Sequence, residues 1–180
     1  IEDWLKVFED VSQRDLTQFK RWYTDAGTPK LSVHEAWDGS RFTLTLRQET
    51  APTPNQPEKA PRVIPVRMSL LGADGAEVVA ERVLEMTQAE QSFTFEGLGA
   101  RPTPSLLRGF SAPVMLVADA QAPDHRATLF AHDSDPFNRW EAGRGLARDA
   151  LQALAKGADL SAAAPYLAAL GSFLHDPAPP

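Results

Sequence analysis

No cysteine occurs in the 180 residues, so neither a disulfide nor a thiolate metal site can form, and the redox compartment stays open. Long apolar runs are missing as well. No stretch approaches the roughly 20 consecutive apolar residues of a membrane-spanning helix, and no signal-peptide pattern opens the chain, so no membrane partner is expected. Basic clusters are also lacking: 18 Lys and Arg against 24 Asp and Glu leave a net charge of −6, which argues against binding a phosphate backbone. No nucleic-acid partner is expected. The chain has no initiator Met and opens inside a helical pattern, which predicts that a native N-terminus, with any targeting signal, has been removed. What remains, 43% hydrophobic, can bury a core as one domain or as a smaller domain with appendages.

Ile1, Trp4, Leu5, Phe8 and Val11 recur at steps of three and four, the stripe of a short amphipathic helix. Leu16, Phe19, Tyr23 and Ala26 repeat the pattern with Trp22 beside them, Ser12 or Asp15 as a cap, and Gly27 and Pro29 as a stop. Trp4, Phe8, Phe19 and Trp22 are expected to be core. From Leu31 the period drops to two. Leu31, Val33 and Trp37, the Asp38-Gly39 turn, then Phe42, Leu44 and Leu46 predict a hairpin with one buried face. Four prolines between Ala51 and Pro61 predict a loop. Alternation resumes over Ile64 to Leu70, Glu77 to Met86 and Ser92 to Glu96; Pro102 and Pro104 bound a connection, and Val114 to Ala118 closes. Six or seven short strands predict an antiparallel β-sandwich.

After Pro123 the pattern is helical again. His125 to His132 suits a short helix, and Asp135-Pro136 starts a longer one whose predicted apolar face is Phe137, Trp140, Ala147, Leu151 and Leu154, ending at Gly157. Gly143 and Gly145 imply close approach of another helix. Ser161 opens a last helix with Leu167, Leu170, Phe173 and Leu174 inward, terminated by the run Asp176 to Pro180.

No stretch completes a catalytic constellation. His34-Glu35-Ala36-Trp37-Asp38 imitates the His-Glu-x-x-His of zinc peptidases, but its fifth residue is Asp38, and a strand would set residues four apart along about 13 Å. An exposed His and Glu before a turn is the expectation. His132, Asp133 and Asp135 read as a helix stop and cap rather than metal ligands. His125 and His175 lack a partner that spacing can identify. No serine sits in a Gly-x-Ser-x-Gly elbow, and nothing sets the separation of Glu85, Glu90 and Glu96.

Four co-linear stretches do carry a resemblance. Asp15 to Pro29 with its Phe-x-x-Trp-Tyr core, Thr87 to Phe95, Leu106 to Val114 and His132 to Glu141 together resemble bacterial aminopeptidase N, the alanyl aminopeptidases of the M1 zinc metallopeptidase family. The resemblance implies mainly β structure with flanking helices: residues 1-29 as a helical tail of the catalytic domain, 30-120 as an immunoglobulin-like antiparallel β-sandwich, and 121-180 as the first helices of a partial C-terminal helical domain. It also implies a cytoplasmic parent that removes N-terminal residues from peptides. In that family two His and a Glu hold zinc, another Glu is the base, a Tyr stabilises the oxyanion, and Gly-x-Met-Glu-Asn grips the substrate amine. None of these motifs matches positions 1-180, and Tyr23 and Tyr166 lie outside them, so no catalytic, cofactor-binding or metal residue is assigned here. Zinc and the peptide substrate belong to the parent. The expected partner is the rest of the same polypeptide, for which this segment acts as a structural spacer. The alternative is a stand-alone immunoglobulin-like module that binds a peptide or glycan through Ala51 to Pro61 or Gly97 to Pro104.

Overall fold

The computed structural model describes residues 1–118 and 124–175. Seven strands form a two-layer sandwich: β1 (Lys30–Trp37), β2 (Phe42–Glu49), β3 (Ile64–Leu71), β4 (Glu77–Met86), β5 (Glu90–Phe95), β6 (Thr103–Leu106) and β7 (Met115–Ala118). One sheet runs β5-β2-β1-β7 and the other β4-β3-β6. The period-two residues meet between them. Leu31, Phe42, Leu44, Leu46, Ile64, Val66, Met68, Leu70 and Met86 are all fully buried, each such side chain contributing about 1.5–3 kcal/mol relative to exposure.

Two details depart from the expected antiparallel, six-or-seven-strand pattern. β7 pairs with β1 in parallel, Lys30 opposite Met115, because β7 reaches β1 by crossing over from the other sheet rather than by a hairpin. Thr103 to Leu106, expected to be part of a connection, is strand β6 in spite of Pro104. Proline is tolerated there because β6 is the edge of its sheet, paired only with β3.

The N-terminal helix α1 (Glu2–Ser12) forms as expected, but its partner shrinks to the four residues of α2 (Arg21–Thr24). Tertiary bonds override helical periodicity in that segment. Gln18 donates to the carbonyls of Pro61 and Thr87, Arg21 to Pro61, and the Trp22 indole to Val63 at 2.7 Å, while Arg62 lies over the Trp22 ring. Ser12 bonds back to Phe8 within its own helix, whereas Asp15 accepts from the Thr17 N–H. Of the aromatic residues expected in the core, Trp22 packs on it, but Trp4 and Phe8 remain 53% and 47% exposed. Trp4 instead contacts Phe8 and Tyr23 in edge-on pairs.

Three helices follow: α3 (Arg126–His132), α4 (Pro136–Ala155) and α5 (Ala164–Leu174). Asp135 caps α4, accepting from Asn138 N–H at 2.9 Å, with Pro136 in the first turn. The start of the last helical segment is capped by Asp159, through Ser161 N–H, ahead of a short 3-10 turn. The predicted α4 face is rotated away. Arg139, Ala142, Gly143, Gly145, Leu146 and Ala150 turn inward, while Trp140 and Leu151 are exposed. Small residues win because α3 comes so close: a Cβ on Gly143 would sit 2.8 Å from the Phe130 ring. Arg139 seals the contact by donating to the Phe130 and Ala131 carbonyls at the open end of α3. On α5 Ala169 is buried and Leu170 and Phe173 are half-buried, but Leu167 and Leu174, expected inward, are exposed. The expected return to helix after Pro123 is α3, whereas the boundary between 120 and 121 and the terminating run from Asp176 lie outside the described residues.

Leu44→Ala should cost about 2–5 kcal/mol of unfolding free energy in urea denaturation, against at most about 0.5 kcal/mol for Val78→Ala on the exposed side of β4.

Candidate functional site: a charged junction between sandwich and helices

The backbone after β6 bends sharply. Leu107 and Phe110 hold left-handed φ values of 56° and 54°, with Gly109 at 60° between them. For residues with a Cβ each such conformation costs on the order of 1–3 kcal/mol and persists only where the surroundings enforce it. The bend turns Arg108 inward, where it is 4% exposed. Its Nη1 donates to Ser69 Oγ at 2.6 Å and to Glu77 Oε1 at 2.7 Å, both from the sandwich, and its Nη2 donates to Ser134 Oγ from the helical side. Nε lies 3.4 Å from Glu81 Oε2, an ion-pair distance without hydrogen-bond alignment. Burial works against the guanidinium charge, but Glu77, Asp133 and Glu81 outweigh it and the proton is held more tightly than usual.

Facing Arg108 at 3.6 Å is Asp133, whose side chain is wholly inaccessible. It accepts from Ser105 Oγ at 2.7 Å and from Asp135 N–H at 2.9 Å. Burial pushes its pKa up, opposed by those two donors and by Arg108. Asn138 on α4 reaches back to Ser105 Oγ and Leu106 O, and Asp135 accepts Gly109 N–H at 2.8 Å while also capping α4. The residues expected as a helix stop and cap therefore serve that role and tie α4 to β6 as well. His132 closes the rim. A Cβ on Gly75 would lie 2.3 Å from the His132 Cβ, so only glycine, here at φ +82°, lets the β3-β4 turn touch α3.

A second contact lies at the start of α3. His125 Nε2 is 2.9 and 3.0 Å from the two Glu35 carboxylate oxygens, Nδ1 is 3.2 Å from Thr103 Oγ1, and Arg101 donates to Glu35 at 3.2 Å. Glu35, expected to be exposed, has a side chain only 4% accessible. Its parity with Leu31, Val33 and Trp37 was the available signal: position 35 belongs to the inward set of the same strand. A hydroxyl, an imidazole and a carboxylate in line could relay a proton, but Thr103 is 8% exposed inside β6 and closed to any substrate. The arrangement is a clamp.

Other singled-out residues stay apart. His34 is on the exposed side of β1 and Asp38 lies in the turn, where it accepts from Ser40 and Arg41 N–H. His175 follows α5 and bonds Gly171 O; Glu85 pairs with Arg14. Among the described residues no group of three or more His, Cys, Asp or Glu could hold a metal ion. In the two loops considered for ligand recognition Gln56 bridges Ala26 N–H and Thr24 O and Arg101 meets Glu35, while Asn55 and Glu58 are exposed.

Comparison with known proteins places these features. Residues 27–119 match the family described as a domain of unknown function (DUF3458) with an Ig-like fold, and residues 123–179 match its companion DUF3458_C, described as ARM repeats. Aminopeptidase N of Caulobacter vibrioides is 43% identical over 181 aligned positions, 99% of this chain and 21% of that protein. Aminopeptidase N of Escherichia coli K12 is 37% identical over 155, 81% of this chain and 18% of that protein. The crystal structure of Legionella pneumophila aminopeptidase A in complex with aspartic acid superposes with a TM-score of 0.79 at 29% identity, covering 98% of this chain and 20% of that one. The chain thus spans about a fifth of the length of these relatives.

Because the folded Asp133 pKa is raised, the native state holds this proton more tightly than the unfolded chain, and its contribution to stability falls as pH rises above the ordinary value of 3.8. Asp133→Asn should lower stability by about 1–3 kcal/mol near pH 4, since one donor loses its acceptor. The gap to the unmodified chain in urea denaturation should then narrow as pH is raised.

Proposed function

The chain belongs to the DUF3458 family, as the Ig-like and ARM-type part of proteins named aminopeptidase N, and from that premise we propose that it is the non-catalytic connector of a zinc aminopeptidase. Residues 1-29 are the tail of the catalytic domain, 30-120 the spacer, and 121-180 the first helices of the C-terminal helical domain. The parent removes N-terminal residues from peptides. The zinc, its ligands and the base come from residues outside this chain: the described residues supply no set of ligands that fits the ion, and no step of hydrolysis is assigned to them.

The observation that carries this reading is the Arg108–Asp133 junction. A connector that only tethers two bodies needs a flexible linker; one that orients them needs a contact with a single solution. Here four side chains of the sandwich side (Ser69, Glu77, Ser105 and Arg108) and four of the helical side (Asp133, Ser134, Asp135 and Asn138) are joined by directional bonds around a desolvated charge. Such a network has few alternative geometries. The exposed Trp4, Phe8 and Tyr23 cluster, at 53, 47 and 45%, is the face on which the catalytic body rests.

The test uses the complete aminopeptidase. Arg108→Ala should lower kcat/KM on an alanyl substrate roughly tenfold or more, the scale on which small misplacements act, with zinc content by atomic absorption unchanged. Unaltered kinetics in a variant shown to be destabilised, or zinc-dependent turnover by residues 1–180 alone, would contradict the connector reading.

A further inference from the structure

Arg62, just ahead of β3, is 3% exposed, yet among the described residues no carboxylate stands at ion-pair distance from its guanidinium. A desolvated charge without a counter-charge calls for a reason. Its partners are one helix end and one aromatic face. Nη2 donates to the carbonyls of Asp25 at 2.8 Å and Ala26 at 3.2 Å, where the chain leaves α2, and Cζ lies 4.9 Å from the centre of the Trp22 ring. The backbone of Arg62 is held from the other side. Its N–H donates to Gln48 Oε1 at 2.8 Å and its carbonyl accepts from Gln48 Nε2 at 2.8 Å, with Gln48 buried in β2. One residue is thus tied to the sandwich through its main chain and to α2 through its side chain.

An apolar side chain would cover Trp22 equally well. What it would lack is direction: a planar guanidinium satisfies two carbonyls and an indole face in one arrangement, whereas a hydrocarbon can slide. Neighbouring bonds act in the same sense. Trp22 Nε1–H reaches Val63 O at 2.7 Å, and Gln56 meets Thr24 O and Ala26 N–H, so the end of α2 is gripped from two sides. From there the contacts run on to α1. Glu9 accepts Leu16 N–H at 3.0 Å, Glu2 pairs with Lys20, Trp4 meets Tyr23 at 6.3 Å between ring centres, and Leu5 is buried.

We infer that Arg62 is a positioning residue that sets the angle at which α1, and the catalytic body resting on it, meets the sandwich. The inference rests on the connector reading and adds a second oriented seam on the catalytic side, opposite the one that Arg108 makes with the helices.

Arg62→Met separates orientation from stability. Methionine still covers Trp22, and water reaches the released carbonyls because Asp25 is half-buried and Ala26 exposed; residues 1–180 should keep their Tm to within about 3 °C. In the complete aminopeptidase the same substitution should lower kcat/KM on an alanyl substrate roughly fivefold or more, with zinc content unchanged. Geometry is read separately. The chain has no cysteine, so Val11→Cys on α1 and Val78→Cys on β4, both exposed, take one spin label each. Their distance distribution by pulsed electron paramagnetic resonance should be single and narrow in residues 1–180 and should broaden with Arg62→Met. An unchanged distribution, unaltered kinetics beside a broadened one, or a fall in Tm well beyond that range, which would make Arg62 an ordinary packing residue, overturns the inference. The connector reading survives each of these results, because it is decided by Arg108→Ala; its own failure would show in those kinetics and leave the label distances unmoved.

Discussion

The structure turns on a charge kept out of water. Arg108 is almost fully buried, and a guanidinium in that position is tolerable only if its donors are matched and a counter-charge stands close. Ser69 and Glu77 satisfy it from the sandwich, Ser134 and Asp133 from the helical side. Nε meets Glu81 only at ion-pair distance, and neither body alone could bury this side chain without leaving a further donor unmet. That requirement explains the left-handed backbone at Leu107 and Phe110: a regular exit from β6 would not deliver Arg108 to both sets of acceptors at once. It also explains why Asp133 is held fully buried despite the cost of its own desolvation.

The sandwich was largely legible in the sequence because its signal is local. Alternation over Leu31 to Leu46 and Ile64 to Leu70 fixes which face is inward, and the Asp38-Gly39 turn fixes where the first hairpin reverses. Three of the misreadings share one cause, tertiary contact overriding a local pattern. α2 is cut short by bonds to Pro61 and Val63; β6 includes a proline that only its edge position makes harmless; α4 turns its small residues inward because Phe130 needs the space at Gly143. The junction was legible only in part. Asp135 could be read as a cap from Asp-Pro, and Glu35 could have been placed inward by parity, but no spacing rule connects Arg108 with Asp133 across 25 positions of chain.

Two of the four stretches that carry the family resemblance, Leu106 to Val114 and His132 to Glu141, are the two sides of this junction. In isolation each looks like an ordinary strand exit and an ordinary helix start. Brought together they are joined by directional bonds around a buried charge. A segment whose business is orientation would carry its specific chemistry at such a seam rather than in a cleft, and large apolar side chains stay exposed on α1 and α5.

Residual dipolar couplings measured on the isotopically labelled chain test the central claim most directly, since they report whether two bodies share one alignment frame. The sandwich and helices α3 to α5 should fit a single alignment tensor in the unmodified chain and two different tensors in Arg108→Ala. A single tensor retained in the variant, or separate tensors without any substitution, would contradict the account.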